Sequence, residues 1–294
     1  MQRADIYISV IIPLYNKALT IQNTISSVLN QVYDKFEIVV VDDGSTDDSA
    51  NIVSQFSDGR IRLITTQNNG VSAARNVGIE KADYDWIYLL DADDELLPNA
   101  LSVFVGMVEQ HKNVSFFTAR SMWHGGEKSV AEQTSVIKHT HLALWLNRVY
   151  PAPRNMLFNK LLIARYGYFD ERMSYYEDWD FSLRMAQCGI MVYTNTYVAR
   201  YNQTSDGLSS KPHPLQAELA YYIPEKMQQN ISFWYQMLLY ENLQMTKLWW
   251  SGHDAEKAYY QDIEKEYFDW RFRLLHWFKQ KILRLQKKIC HFTN

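Results

Sequence analysis

The sequence predicts an α/β fold with a doubly wound, mostly parallel sheet and helices on both faces. Over the first hundred residues, continuous apolar runs alternate repeatedly with polar or helix-periodic segments. Such runs are typical of strands covered on both faces, as parallel strands joined by helices are. Two of the runs end abruptly in acidic residues, at 42–43 and 91–94. Strands that end in polar groups indicate a sheet edge that binds a ligand.

The elements of this first part follow one another in order. Ser45 with Asp48 three residues later resembles a capping box, so we expect a short helix to open there and to bury Ile52, Val53 and Phe56. The predicted strands are residues 7–14, 36–41, 61–65 and 86–90, and the predicted longer helices cover 21–29 and 71–81.

After Pro98 the alternation loosens. Lys211-Pro212-His213-Pro214 predicts a linker, and the residues beyond it are aromatic-rich and helical in pattern. The predicted elements before it are helices at 99–110, 139–147 and 178–187, the last ended by Gly189, a strand at 114–119 and a loop at 123–134. We therefore divide the chain into parts at 1–100, 101–215 and 216–294.

Composition indicates a folded protein of a reducing compartment. Of its 294 residues 47% are apolar, and its formal net charge is −3. Cys188 and Cys290 have no metal-binding or redox spacing, and no apolar run reaches the roughly 18 residues needed to span a bilayer. The apolar start contains Pro13 and lacks a small-residue cleavage site, which predicts a strand and not a signal peptide. We expect a cytoplasmic protein that does not bind nucleic acid.

Five segments carry a more specific signal. Carboxylates that share one sheet edge repel one another, so they suggest a hard cation such as Mg²⁺ or Mn²⁺ together with a nucleoside diphosphate. The chain resembles the family 2 glycosyltransferases with the GT-A fold over roughly residues 6–210. The matching segments, in order, are VIIPLYN at 10–16, VVVDDGSTD at 39–47, NGVSAARN at 69–76, LDADD at 90–94 and EDWD at 177–180.

The resemblance implies a UDP-sugar donor. It places Pro13 and Tyr15 in the nucleoside pocket and directs Asp42 at the uracil N3–H. A carboxylate only accepts hydrogen bonds, so it suits uracil and disfavours cytosine. By resemblance Arg75 lies near the diphosphate, although a solvated arginine on a helix face would fit its spacing equally well. Residues 1–100 would then form the donor-binding half of a GT-A domain, and 101–215 the acceptor-binding half.

The resemblance also implies a divalent cation, Mg²⁺ or Mn²⁺. It makes Asp93 the direct ligand, while Asp91 reaches the ribose or, through water, the metal. On an extended segment these two side chains would point to the same side. Many relatives carry a downstream histidine that is absent from the corresponding stretch 201–205, so a third protein ligand is in doubt.

The catalytic base that the resemblance implies lies among the acids at 177–180. By family position this is Asp178, with Glu177 as its rival, although acids in a first helical turn also stabilise the helix dipole. The base would take a proton from an acceptor hydroxyl as it displaces UDP with inversion. The acceptor would be a glycan or lipid-linked sugar of cell-surface polysaccharide synthesis. The alternatives are an inactive nucleotide-sugar-binding relative and a sugar nucleotidyltransferase, whose Gly-rich signature is missing here.

The chain from 271 to 292 predicts a basic amphipathic helix. Its apolar positions, Phe272, Leu275, Phe278, Ile282, Leu285 and Ile289, recur at helical spacing, and no acid follows Asp269. Such a helix suits peripheral contact with the anionic inner face of a membrane. Packing against the catalytic domain or a second subunit in a homodimer is the alternative.

Overall fold

The computed structural model describes most of the chain and divides it into two compact units. The first unit comprises 1–140 with 149–211, and the second comprises 141–148 with 212–294. The described residues are 5–122, 133–138, 140–145, 151–173, 176–202, 225–226, 233, 235–240 and 264–292.

Nine strands of the described residues form one mixed sheet in the first unit. Their order is β3-β2-β1-β4-β8-β6-β9-β5, and β7 pairs with β9. Strands β1 to β4 are parallel to one another, whereas β8 is antiparallel to β4 and β6. The strands are β1 Ile8–Leu14, β2 Phe36–Asp42, β3 Ile61–Thr65, β4 Trp86–Leu89, β5 Glu95–Leu96, β6 Phe116–Met122, β7 Thr134–Ile137, β8 Met156–Asn159 and β9 Met191–Arg200.

Helices follow the strands as the doubly wound prediction requires. The α-helices are α1 Ile21–Leu29, α2 Ser49–Ser54, α3 Val71–Lys81, α4 Ala100–Gln110, α5 Thr140–Trp145, α6 Leu161–Tyr166, α7 Glu177–Met185 and α8 Trp270–Phe292. Strands β1 and β2 are buried along their whole length, because helices cover both faces of the sheet there. The predicted fold class is therefore confirmed, including the helical C-terminal part. No helix in the described part of the chain is both long and apolar enough to cross a bilayer.

Three local predictions were wrong for identifiable reasons. The capping box does not form: α2 begins at Ser49, and the Ser45 hydroxyl instead accepts the N–H of Asn16 at 3.0 Å. Strand β6 begins at Phe116 and not at Val114, because the Val114 N–H bonds to a carbonyl in the turn that ends α4. Part of the predicted loop 123–134 lies outside the described residues, but its last residue opens β7. The predicted linker lies outside them as well.

Helix α3 packs unusually close to the sheet at Gly78. A β-carbon there would lie 2.2 Å from Cγ2 of Ile11 and 3.3 Å from Cγ2 of Val41. The strands meet the helix backbone directly, so the loop before α3 and the residues on its inner face are held against the carboxyl ends of β1 and β2.

We predict that Gly78→Ala lowers the free energy of unfolding by about 1–3 kcal/mol, since the added methyl group must displace two strand side chains. Gly106→Ala in α4 is the matched control, because a β-carbon there meets nothing within 4 Å. Alanine should stabilise that helix by about 0.5–1 kcal/mol. Urea titrations monitored by circular dichroism measure both. Equal changes in the free energy of unfolding for the two variants would contradict the close packing at Gly78.

Candidate functional site

The strand order reverses between β1 and β4, and we call the carboxyl edge of the sheet at this switch point the crevice. The chain builds β1, β2 and β3 outward and then crosses back to place β4 on the other side of β1. Pairing of β1 with β4 ends at Ile11 and Leu89, while β1 continues beside β2 to Leu14. Pro13 lies beyond the last of these pairs, so its missing N–H removes no bond to β4. In open α/β sheets ligands bind at such a switch point.

Side chains tie the loop after β1 to the loop after β2. Asn16, in the left-handed region with φ 50°, donates its N–H to the Ser45 hydroxyl. Asp47 accepts the N–H of Ala18 at 3.1 Å. Several polar residues of the 39–47 segment therefore hold the loop backbone in place. Tyr15 remains 45% exposed at the rim.

Two adjacent acids at the end of β2 have different surroundings. Both Asp42 and Asp43 are buried. Asp43 accepts the N–H of Asn69 at 2.9 Å on one oxygen and that of Gly70 at 2.8 Å on the other, so it fastens the loop before α3. Among the described residues, the Asp42 carboxylate accepts only the N–H of Ser45, on Oδ1 at 3.1 Å, and its Oδ2 accepts no hydrogen bond. Of these two acids, Asp42 therefore has a carboxylate oxygen that is available to accept a hydrogen bond from a ligand.

Arg75 lies at the centre of a buried ion cluster. Its guanidinium donates to Glu177 Oε1 at 2.8 Å and to Asp91 Oδ1 at 2.7 Å, and it lies over the Phe169 ring. Burial alone would lower the pKa of Arg75, but the two carboxylates outweigh it and raise that pKa. The cluster joins α3, the end of β4 and α7, so Arg75 positions three elements of the crevice.

The acids of the first turn of α7 have separate partners. Glu177 is paired with Arg75, and Asp180 accepts from Arg184 at 2.8 Å. Asp178 accepts only the neighbouring N–H of Trp179 at 2.7 Å, and its Oδ2 receives no hydrogen bond from the described part of the chain. Burial raises the pKa of Asp178, against the lowering by Arg75. Of these acids, Asp178 alone is without a side-chain partner among the described residues.

The acids after β4 lie in a turn and not on an extended segment. The Asp94 N–H donates to the Asp91 carbonyl at 3.0 Å, and the Ala92 carbonyl accepts the hydroxyls of Thr20 and Thr24 from α1. The expected extended geometry was wrong because this hydrogen bond closes the turn. Asp91 pairs with Arg75, as described above, and Asp93 pairs with a different cation.

That cation is Lys17, whose Nζ lies 2.9 Å from Asp93 Oδ2. The Asp91 and Asp93 side chains are 28% and 18% exposed at the crevice. Two partly exposed carboxylates match what Mg²⁺ or Mn²⁺ takes from a protein when phosphate and water supply its other ligands. Among the described residues, no group of three acidic, histidine or cysteine side chains could hold a metal by itself. A cation on Asp93 would displace Lys17 from that oxygen.

Asp94 links this turn to the chain after β9. It is fully buried, and its Oδ1 accepts the Asn202 N–H at 3.1 Å. Arg154 approaches Oδ2 to 3.8 Å and lies over the Tyr201 ring. Burial, reinforced by Asp91, raises the pKa of Asp94 to about 8. Lys17, Asp94 and Arg154 were not among the predicted site residues. Only Asp94, in the LDADD segment, carried a sequence signal.

The buried carboxyl of Glu177 should make stability depend on pH. Burial raises its pKa to about 7, with a further contribution from Asp178, against the lowering by Arg75. A carboxyl whose folded pKa is raised binds its proton more tightly when folded. Its stabilisation is therefore present below its unfolded pKa of about 4.3 and lost as pH rises through about 7.

We predict that Glu177→Gln flattens the pH dependence of the free energy of unfolding between pH 5 and 8. The slope contributed by one proton reaches at most about 1.4 kcal/mol per pH unit. Asp58→Asn is the control, since Arg60 lowers the pKa of Asp58 to about 2, outside this window. Urea titrations at several pH values measure the slope. An unchanged slope in Glu177→Gln would contradict the raised pKa.

Comparison with known proteins places this geometry in a family. Residues 9–176, more than half of the chain, match the model of Glycosyl transferase family 2. The chain is 33% identical over 159 residues to the Escherichia coli protein WfgD, UDP-Glc:alpha-D-GlcNAc-diphosphoundecaprenol beta-1,3-glucosyltransferase, covering 54% of this chain and 56% of WfgD. It is 30% identical to the uncharacterized glycosyltransferase EpsJ of Bacillus subtilis, covering 67% of this chain and 62% of EpsJ. Both matches therefore span less than two thirds of the relative.

A solved structure has the same fold. The Staphylococcus aureus TarS fragment 1–349 in complex with UDP-GlcNAc superposes with a TM-score of 0.66 at 20% identity, over 80% of this chain and 71% of that one. The predicted GT-A fold is thereby confirmed. The chain belongs to glycosyltransferase family 2.

Proposed function

We propose that this protein is an inverting glycosyltransferase that moves a hexosyl or N-acetylhexosaminyl group from a UDP-sugar to a hydroxyl of a glycan or lipid-linked acceptor. The observation that carries the proposal is Asp178. This carboxylate has no side-chain partner among the described residues, and it lies in the first turn of α7 next to Glu177, which is paired with Arg75. In the proposed reaction Asp178 is the proton acceptor of the displacement.

Recognition of the donor rests on the nucleoside end of the crevice. The Oδ2 atom of Asp42 is available to accept a hydrogen bond from the uracil N3–H. Pro13 and Tyr15 lie at the end of β1, which pairs with β2 beside Asp42. Two relatives support a uridine nucleotide: TarS has been crystallised with UDP-GlcNAc and with UDP, and the name of WfgD specifies UDP-Glc. When bound, Mg²⁺ or Mn²⁺ would neutralise charge on the diphosphate leaving group, and Asp93 and Asp91 are the residues that would hold it.

Proton transfer follows from the arrangement of α7. Asp178 accepts the proton of the acceptor hydroxyl on its carboxylate as the hydroxyl oxygen attacks the anomeric carbon opposite the departing UDP. Because bond making and bond breaking occur on opposite faces, the anomeric configuration inverts. Arg75 keeps Asp91 and Glu177 in place and thereby positions both the donor side and α7. Lys17 supplies a second cation at the diphosphate end of the crevice.

A lipid-linked acceptor is supported by a relative. The name of WfgD specifies an alpha-D-GlcNAc-diphosphoundecaprenol substrate. We propose that this chain likewise acts in cell-surface polysaccharide synthesis. By analogy we place this chain on the cytoplasmic side of such a pathway. A homodimer remains a prediction.

The test measures UDP release from a panel of UDP-hexoses and UDP-N-acetylhexosamines, with Mn²⁺ and a diphospholipid-linked GlcNAc acceptor. We expect acceptor-dependent release from at least one UDP-sugar, with a product of inverted anomeric configuration by NMR. GDP- and CDP-sugars are the controls and should release no GDP or CDP in response to the acceptor. UDP binding without turnover of any donor would favour an inactive nucleotide-sugar-binding protein, and a retained configuration would overturn the mechanism.

A further inference from the structure

Helix α8 in the second unit has two apolar faces and not the single one that its spacing suggested. Phe272 is buried and packs against Phe268 and Tyr240, with ring centroids 5.1 and 5.9 Å apart. Phe278 was expected on the same face, but it is 47% exposed. At about 100° per residue these two phenylalanines lie about 120° apart around the helix, so they do not share a surface.

The second apolar face lies in solvent. We call Trp270, Leu274, Trp277 and Phe278 the outer stripe; these side chains are 42–69% exposed. They follow one another at intervals of four, three and one residues, so they line one side of the helix for more than two turns. Four large apolar side chains exposed together mark a surface that binds something. Two of them are tryptophans, which favour the boundary between water and lipid.

Cations frame the outer stripe. Lys281 lies on the stripe with its Nζ 4.6 Å from the centroid of the Trp277 ring. Arg271 and Arg273, more than half exposed, fall on its two sides. Asp269 and Glu264 pair with these arginines, but the sequence contains no acid after Asp269, whereas seven lysines and arginines follow it. The helix thus presents an apolar stripe within a positive field.

We propose that the outer stripe of α8 docks on an anionic lipid surface. An apolar stripe bordered by Lys and Arg is the pattern of a helix that lies in the plane of a bilayer, with tryptophan and leucine among the acyl chains and cations at the headgroups. Charge complementarity selects the occupant: a second copy of this chain would bring the same cations against these and repel them. The inference does not depend on the transferase proposal.

The experiment is co-sedimentation of the 294-residue chain with vesicles of phosphatidylcholine alone and with vesicles that also contain about one-third phosphatidylglycerol. The wild type should sediment with the anionic vesicles only. Trp270→Ser with Trp277→Ser should raise the lipid concentration for half-maximal binding at least about tenfold. Arg273→Gln with Lys281→Gln should raise it about 25-fold, at about fivefold for each cation at the surface. Leu161→Ser with Lys112→Gln, an exposed apolar residue and an exposed cation of the first unit, is the matched control.

The outcomes distinguish a lipid surface from a second copy of the chain as the partner of the outer stripe. Loss of sedimentation in both outer-stripe variants, with the control unchanged, supports the proposal. No sedimentation of the wild type, or equal sedimentation with neutral vesicles, overturns it. So does a dimer in size-exclusion chromatography that the tryptophan variant dissociates, because the stripe would then bind a second copy. The charge variant keeps the apolar packing of the helix, so it remains informative if the tryptophan variant misfolds.

Discussion

Asp178→Asn is expected to reduce turnover by about 10²–10⁴-fold, the contribution typical of a general base. Asparagine keeps the shape of the side chain but no longer accepts the acceptor's proton. Asp178 bonds to no side chain of the described residues, so its replacement should leave folding and UDP affinity nearly unchanged. Single-turnover transfer rates and UDP titrations measure the two effects separately.

Glu177→Gln is the comparison that distinguishes the two rival acids. Glu177 pairs with Arg75 and takes no part in the proposed proton transfer, so we expect a smaller loss of turnover than in Asp178→Asn. The pH profile adds a second readout, since turnover of the wild type should fall as pH drops through the raised pKa of Asp178. If Asp178→Asn retained most of the activity while Glu177→Gln abolished it at unchanged stability, the two roles would be exchanged.

Arg75→Met should lower the free energy of unfolding by about 3–5 kcal/mol, because it leaves the buried Glu177 and the half-buried Asp91 without their cation. The deficit should shrink as pH falls, since Glu177 then takes up a proton. Urea titrations at pH 8 and pH 5 measure both the loss and its recovery.

Arg172→Met is the matched control for Arg75→Met. Arg172 also pairs with a carboxylate, Asp170, but its side chain is 68% exposed, so we expect a loss of at most about 1 kcal/mol. A comparable loss in the two variants, or a pH-independent loss in Arg75→Met, would show that Arg75 does not hold the cluster together.

The sequence predicted the first four strands well because each is a continuous apolar run bounded by polar turns. It missed the short strands β5, β7 and β8, and it missed β9, in which Thr194, Asn195 and Thr196 interrupt the apolar pattern. Periodicity does not detect strands whose polar side chains are accommodated by partners elsewhere in the fold. Strand β9 pairs with three other strands, and that pairing is invisible in a local window.

The sequence predicted the site residues that lie within the matching segments, but not which residues pair with them. Asp42, Asp91, Asp93 and Asp178 lay in matching segments, but the cations that pair with Asp91 and Asp93 come from other parts of the chain. Lys17 reaches Asp93 across 76 positions, and Arg154 approaches Asp94 from a segment with no motif. Arg75 also proved to be a buried ion-pair centre and not a solvated helix residue. Such contacts arise from the crossover that brings β1 and β4 together, which residue spacing does not encode.

The most direct test of the donor site is a calorimetric titration of UDP into the wild type and Asp93→Asn, first with Mn²⁺ and then with excess EDTA. The wild type should bind UDP at least about tenfold more tightly with Mn²⁺, since Asp93 and Asp91 would hold a cation that neutralises charge on the diphosphate. Asp93→Asn should lose that gain, while Asp83→Asn, at an exposed acid away from the crevice, should keep it. UDP affinity that is indifferent to Mn²⁺ and to Asp93 would contradict a metal-assisted donor site, and no UDP binding under any condition would contradict the account as a whole.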